Sequence, residues 1–271
     1  MRKQALLFTV LLGYANVSLA HGNVHERIHQ LDHEIAHHPK DVTRLIKRGQ
    51  LLLDEGHADD ALDDFVKARK LAPKRIEVLY HLARAQLLLN QQNAALESAG
   101  KFLRQVTNDA ARVRGHVLTG DILSASGKPF DAGEAYLRAI SVSQELEPDH
   151  VLYAANAFHT AGNTDKAIAV LNDGIARLGP LHALNERALT LEMEQKQYDS
   201  ALRRVDQMLA TRQRVPFLLY EKGKILKAQA RTDESRQTFT AALKEIDGLP
   251  ESRRHTHVFE NLRSSVLAEM N

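Results

Sequence analysis

The chain holds 271 residues, with 36 Lys plus Arg against 34 Asp plus Glu and no Cys. Its 44% apolar and 26% charged residues are the balance of a soluble globular protein, which excludes disorder throughout and a multi-span membrane protein. Without Cys there is no disulfide framework, no Cys-ligated zinc or iron–sulfur site, no thiol nucleophile, and no lipid-anchored export signal, whose anchor is a Cys at the cleavage point.

Residues 1–20 have the pattern of an export signal. Arg2 and Lys3 give a positive start, Ala5 to Leu12 an apolar stretch, and Ser18-Leu19-Ala20 the small residues a signal peptidase requires. The apolar stretch is well short of the roughly 20 residues of a membrane-spanning helix. Cleavage after Ala20 removes two bases and no acid, which leaves a neutral mature chain. Neutrality gives no reason to expect nucleic acid or an anionic membrane as partner, and no integral membrane segment remains after cleavage. The expected location is the periplasm; secretion, or anchoring in the inner membrane by an uncleaved signal, are the alternatives.

The next segment, 21–41, is rich in His: His21, His25, His29, His33 and His37 recur every four residues, followed by His38. On a helix turning about 100° per residue, Val24, Ile28, Leu31 and Ile35 share one side. His29 and His33 lie opposite, flanked by His25 and His37, and His38 falls nearer the apolar side. The spacing predicts a helix that docks its apolar stripe and turns its imidazoles to solvent. Two His one turn apart can chelate one ion, and neutral imidazole suits zinc, copper and nickel. An amino terminus at His21 adds an amine and a ring nitrogen, which resembles the His-first copper sites of some secreted proteins. A polar cap with incidental His, or a pH-sensing one, fits the same residues. H-E-x-x-H occurs twice, at His25-Glu26-Arg27-Ile28-His29 and His33-Glu34-Ile35-Ala36-His37, a pattern that serves zinc proteases. Here it lacks the third ligand and surrounding cleft such an enzyme needs, and a His every four residues produces it by coincidence.

From 42 to 250 the sequence repeats itself, with starts near Val42, Ile76, Val113, Pro148, His182 and Pro216. Gly49, Ala83, Gly120, Ala155 and Gly223 share the eighth place, where a small residue lets paired helices approach. Ala61, Ala95, Ala132, Ala167 and Ala201 do the same from the second helix. Phe65, Tyr136, Leu171, Val205 and Phe239 supply bulk. Gly56, Asn90, Gly127 and Gly162 stand where the first helix must stop in a left-handed turn, and Asp59, Asp131, Asp165, Asp199 and Asp233 follow as candidate caps of the second. Leu189 in the small eighth place, Lys196 in a turn, Ala99 in a bulky place and the extra residues around Thr107-Asn108-Asp109 break the pattern. A period close to 34 residues with these signatures resembles the tetratricopeptide repeat family. The resemblance implies an all-α, right-handed superhelical solenoid of antiparallel helix pairs, in which each repeat buries its apolar face against its neighbours.

Residues 251–271 predict a closing helix with Val258, Leu262 and Val266 on its docked side. No Gly-rich phosphate loop or nucleophile elbow is present, so the chain is expected not to be an enzyme. The resemblance implies a concave surface lined by first helices. Here those faces carry Ile46, Gln50 and Leu53, then Tyr80, Arg84 and Leu87, then Val117 and Asp121, Leu152 and Asn156, Glu186 and Thr190, and Phe217, Tyr220 and Lys224. The Lys and Asn with which some family members clamp a carboxylate are replaced by Ile46 and Gln50 in the first repeat. The chain resembles exported bacterial repeat proteins of unassigned role. The expectation is a periplasmic scaffold or adaptor that binds a protein or peptide partner. A copper-, zinc- or nickel-binding protein using the His stripe is the alternative, and a zinc metalloprotease the third reading.

Overall fold

The computed structural model describes residues 24–270; the export signal over 1–20 and His21 lie outside the described residues. Helices follow one another with no strand among the described residues. They fall into two compact bodies, the first ending at Gln144 and the second beginning at Glu145. The first body holds α1 over residues 24–37, then α2 (Val42–Asp54), α3 (Ala58–Leu71), α4 (Glu77–Leu88), α5 (Gln92–Gln105), α6 (Asp109–Ala125) and α7 (Pro129–Val142). In the second are α8 (Pro148–Thr160), α9 (Thr164–Leu178), α10 (His182–Glu194), α11 (Tyr198–Ala210), α12 (Val215–Ala228), α13 (Thr232–Asp247), α14 (Glu251–Arg254) and α15 (His257–Met270). Each even-numbered helix from α2 to α12 packs on the odd-numbered helix that follows it, and within each body the pairs stack on one another.

A missing side chain closes four of the pairs, α8 and α9 through Gly174, where a Cβ would lie 2.6 Å from Val151. Gly49 on α2 faces Phe65 of α3 so closely that a Cβ there would lie 2.6 Å from the Phe65 ring. The same holds for Gly120 against Tyr136, at 2.5 Å, and for Gly223 against Phe239, at 2.3 Å. The other repeats distribute the volume differently. Repeat five places Leu189 with Val205 in one core. In repeat two both places are Ala, and Leu118 and Ile122 of the next first helix fill the space. Leu189 is therefore no defect in the stacking: the ring opposite has shrunk to Val.

Buried polar pairs add a second lock. Arg48 of α2 forks onto Asp64 of α3, at 2.8 and 2.6 Å, with Asp64 only 3% exposed. In the second body, buried Arg204 of α11 makes two bonds to Glu192 of α10, at 2.9 and 2.6 Å. It also reaches Asn185 and, across the repeat boundary, Asn172 of α9. Such bidentate pairs fix helix register as well as distance.

The turns follow the expected chemistry, with two additions. Gly56, Gly127, Gly162 and Asn90 take positive φ, and so do Lys196 and Ala230 at the matching places of repeats five and six. The turn geometry is thus imposed by the pairing even where no Gly supplies it. The Asp residues read as caps sit elsewhere: Asp59, Asp131, Asp165, Asp199 and Asp233 lie within the first helical turn. They favour the helix through its dipole, while the observed side-chain caps are Asp41, Asn108 and Asn163. The residues around Thr107 lengthen α6: Asn108 caps it, accepting from the Ala111 amide at 2.8 Å, and the helix begins at Asp109 rather than Val113.

At the amino-terminal end, Leu31 and Ile35 of α1 are buried in one core with Leu45, Leu52 and Phe65. Arg48 holds Asp32 at 2.7 Å and Arg44 holds Glu34 at 2.6 Å. His38 is exposed, not docked, because α1 has ended before it. At the other end the expected single helix is broken at His255–Thr256 into α14 and α15. Leu262 and Val266 are buried, whereas Val258, in the first turn of α15, is 59% exposed; Phe259 takes its place, packing on Phe217 with ring centroids 5.4 Å apart.

Gly49→Ala should lower stability by about 1–2 kcal/mol, since overpacking costs about 1–3 kcal/mol and the gain in helix propensity returns about 1. Adding Phe65→Leu should recover most of that loss. Urea unfolding of the two variants checks both statements.

Candidate functional site

Two cavities open on the first-helix faces, one within each body. That of the first body, about 520 Å³, runs along α2, α4 and the start of α6. Ile46, Gln50 and Tyr80 line it, joined by Thr43, Lys47, Arg75, Glu77, His81, Phe102 and Arg114. Its floor is aromatic: Tyr80 packs on Phe102 at 5.4 Å, and His81 stacks on Phe65 at 5.2 Å. Its rim is basic. Arg114 lies over the Tyr80 ring at 5.8 Å, and Arg75 reaches both Glu77 and Thr43, at 2.8 and 2.9 Å. The three cations Lys47, Arg75 and Arg114 thus face a single lining carboxylate, which Arg75 already engages.

Buried His81 is held neutral. Burial drives its pKa down to about 4, and the charges of Arg84 and Arg114 push the same way against Glu77. Its Nε2 lies 3.0 Å from Gln50 Nε2, and its buried Nδ1 has no hydrogen-bond partner among the described residues.

The cavity of the second body, about 490 Å³, opens between α10 and α12 over Met208 of α11. Leu189, Met193, Met208 and Leu218 give it an apolar floor; Glu186, Thr190, Phe217 and Lys224 line it, with His182, Glu194, Arg214 and Glu221. Glu221 is paired with Lys224 at 2.9 Å, while Glu186 lies beside His182 at 3.4 Å and Glu194 beside His159 at 3.5 Å. Lys224 also lies over Tyr220 at 5.0 Å.

The remaining first-helix residues have other surroundings. Leu53 is buried in the core of the first body and does not line the cavity. Leu87 is half-buried against the core of repeat two, and Arg84 is half-buried on α4. Val117 and Asp121 are half-buried, and Asp121 accepts from the Tyr136 hydroxyl at 2.7 Å. Leu152 is half-buried, and exposed Asn156 accepts from Arg187 at 2.7 Å. Residues absent from the sequence reading came from places the repeat pattern treats as connectors: Arg75 and Arg214 precede their helices, and Phe102 ends α5.

On α1, His25, His29, His33 and His37 are all exposed. His25 faces Glu55 at 3.6 Å and His29 faces Asp32 at 3.9 Å, while the His33 and His37 rings meet edge to face at 4.7 Å. Glu34, the acid of the second H-E-x-x-H, is bound by Arg44. Among the described residues no three His, Asp or Glu side chains are gathered as a metal site, and no helix is long and apolar enough to cross a membrane.

A tetratricopeptide repeat family model matches residues 46–110 and again 117–183. Among solved structures the chain is similar to a tetratricopeptide repeat protein from Parabacteroides merdae ATCC 43184, with a TM-score of 0.53 and 17% identity over 92% of this chain and 94% of that one. It is similar to MamA from Desulfovibrio magneticus RS-1, with a TM-score of 0.51 and 20% identity over 59% of this chain and 90% of that one. The APC/C hetero-tetramer Cut9-Hcn1 gives a TM-score of 0.50 and 12% identity over 90% of this chain and 46% of that one. At these identities the likeness is one of fold. No curated protein sequence matches the chain.

The neutral His81 makes stability depend on pH. The unfolded chain takes up this proton near pH 6.5, and the folded chain refuses it until about pH 4. Its contribution is therefore whole above pH 6.5 and is lost as pH falls from there toward 4, at up to about 1.4 kcal/mol per pH unit. Urea unfolding between pH 7 and 4.5 should show a shallower acid loss for His81→Asn than for the parent chain.

Proposed function

The chain belongs to the tetratricopeptide repeat family, and from that premise we propose that it is a non-catalytic adaptor holding a protein partner on the open faces of its first helices. The observation that carries this reading is the cavity of the first body. Three cations, two from the first repeat and one from the third, surround an aromatic floor, and the one lining carboxylate is already bound by Arg75. Such a surface suits an extended peptide with acidic residues, whose side chains meet Lys47 and Arg114 while an apolar residue covers Tyr80. Charge complementarity of this kind selects the partner and speeds encounter. The Cut9-Hcn1 structure, an assembly of two kinds of protein, supports the use of this fold to hold another chain.

The adaptor works in the periplasm, as a scaffold in envelope assembly or maintenance. What supports export is the sequence of residues 1–20, with Arg2 and Lys3 ahead of an apolar stretch and small residues at 18 and 20. The neutral balance of the chain after residue 20 favours a protein partner over nucleic acid.

Affinity capture from envelope extract should enrich the same protein with the parent chain in repeated preparations. Lys47→Glu with Arg114→Glu should release it, by about tenfold or more in affinity, and added salt should weaken the parent complex. Equal capture by the variant would contradict the reading, provided circular dichroism shows the variant folded.

A further inference from the structure

The proposed adaptor surface uses none of the imidazoles on α1. Four of them stand on its exposed side, one per turn, and their surroundings differ. His25 leans toward Glu55 and His29 toward Asp32. His33 and His37 turn toward each other, with ring centroids 4.7 Å apart and planes inclined by 61°. At that separation a small rotation of two exposed side chains brings one nitrogen of each ring to a common ion, at the roughly 2.0–2.1 Å of a metal–imidazole bond.

The backbone that presents the pair is already fixed. Leu31 and Ile35 anchor α1 in the core, and Asp32 and Glu34 are tied to Arg48 and Arg44. These contacts fix the backbone of α1, so the two residues that carry the rings are held one turn apart in advance. Glu34 is turned away by its ion pair, which leaves the two imidazoles as the donors. No third His, Asp or Glu joins them among the described residues.

We propose that His33 and His37 form a two-imidazole chelate for a borderline divalent cation: copper, nickel or zinc. Copper binds tightest, following the general order of divalent affinities. The site stands apart from the groove and holds whether or not the adaptor reading does.

Titration calorimetry on the untagged chain with copper, nickel and zinc chlorides tests this. The parent chain should bind the ions in the micromolar range. His33→Gln with His37→Gln should bind one equivalent less of each, and His25→Gln with His29→Gln should match the parent. Metal should also raise the melting temperature of the parent by more than that of the His33/His37 variant, a readout that separates the site from general surface binding. An unchanged stoichiometry in the His33/His37 variant, an equal loss in the His25/His29 variant, or no heat from the parent would overturn the proposal. Circular dichroism of both variants shows whether α1 is kept.

Discussion

Several helix pairs in this protein close on an absent side chain. Where Gly49, Gly120 and Gly223 leave a gap, the rings of Phe65, Tyr136 and Phe239 enter it. Interiors at crystal-like density leave no slack for an extra methyl group at such a point. The constraint concerns the sum of two volumes rather than either residue, so Leu189 accepts Val205. Each pair closes by this exchange, and closed pairs then bury their remaining apolar faces on their neighbours.

The chemistry of the open face rests on the same contact. The Phe65 ring that fills the space beside Gly49 also stacks beneath His81, whose other neighbours are Gln50 and Tyr80. Burial on that ring keeps the imidazole neutral, so the positive rim of Lys47, Arg75 and Arg114 surrounds an uncharged floor. The polar locks work alongside: Arg48 joins α1, α2 and α3 through Asp32 and Asp64, and Arg204 joins repeats four and five. Charges inside the stack are thus spent on register.

Much of the helix order was legible in the sequence, because small and bulky residues return at fixed places and Gly or Asn marks most turns. The exchange of volume was not legible at Leu189, which departs from its own column and makes sense only beside Val205, about half a repeat later. Turn signals failed where pairing overrode them: Lys196 and Ala230 adopt the left-handed conformation without Gly. The cap assignment failed for a different reason, since an acid two or three residues into a helix and a true cap differ by less than one turn. Of the candidate site, Ile46, Gln50, Tyr80, Glu186, Phe217 and Lys224 were found by counting along first helices. Phe102, Met208, Arg75 and Arg214 were not, because the first two reach the cavities from second helices and the last two precede their helices; Arg114, inside first helix α6, was missed because the count along that helix began at Val117. Leu53 shows the converse: it shares a side of α2 with Ile46 but is buried in the core and does not line the cavity.

The idea that paired volumes govern closure is tested most directly by rebuilding repeat five in the image of repeat one. Leu189→Gly alone opens a cavity and should cost about 2–4 kcal/mol, and Val205→Phe alone overfills the core and should cost about 1–3. The two together should restore stability to within about 1 kcal/mol of the parent in urea unfolding, a strongly favourable coupling. Losses that simply add would contradict the account.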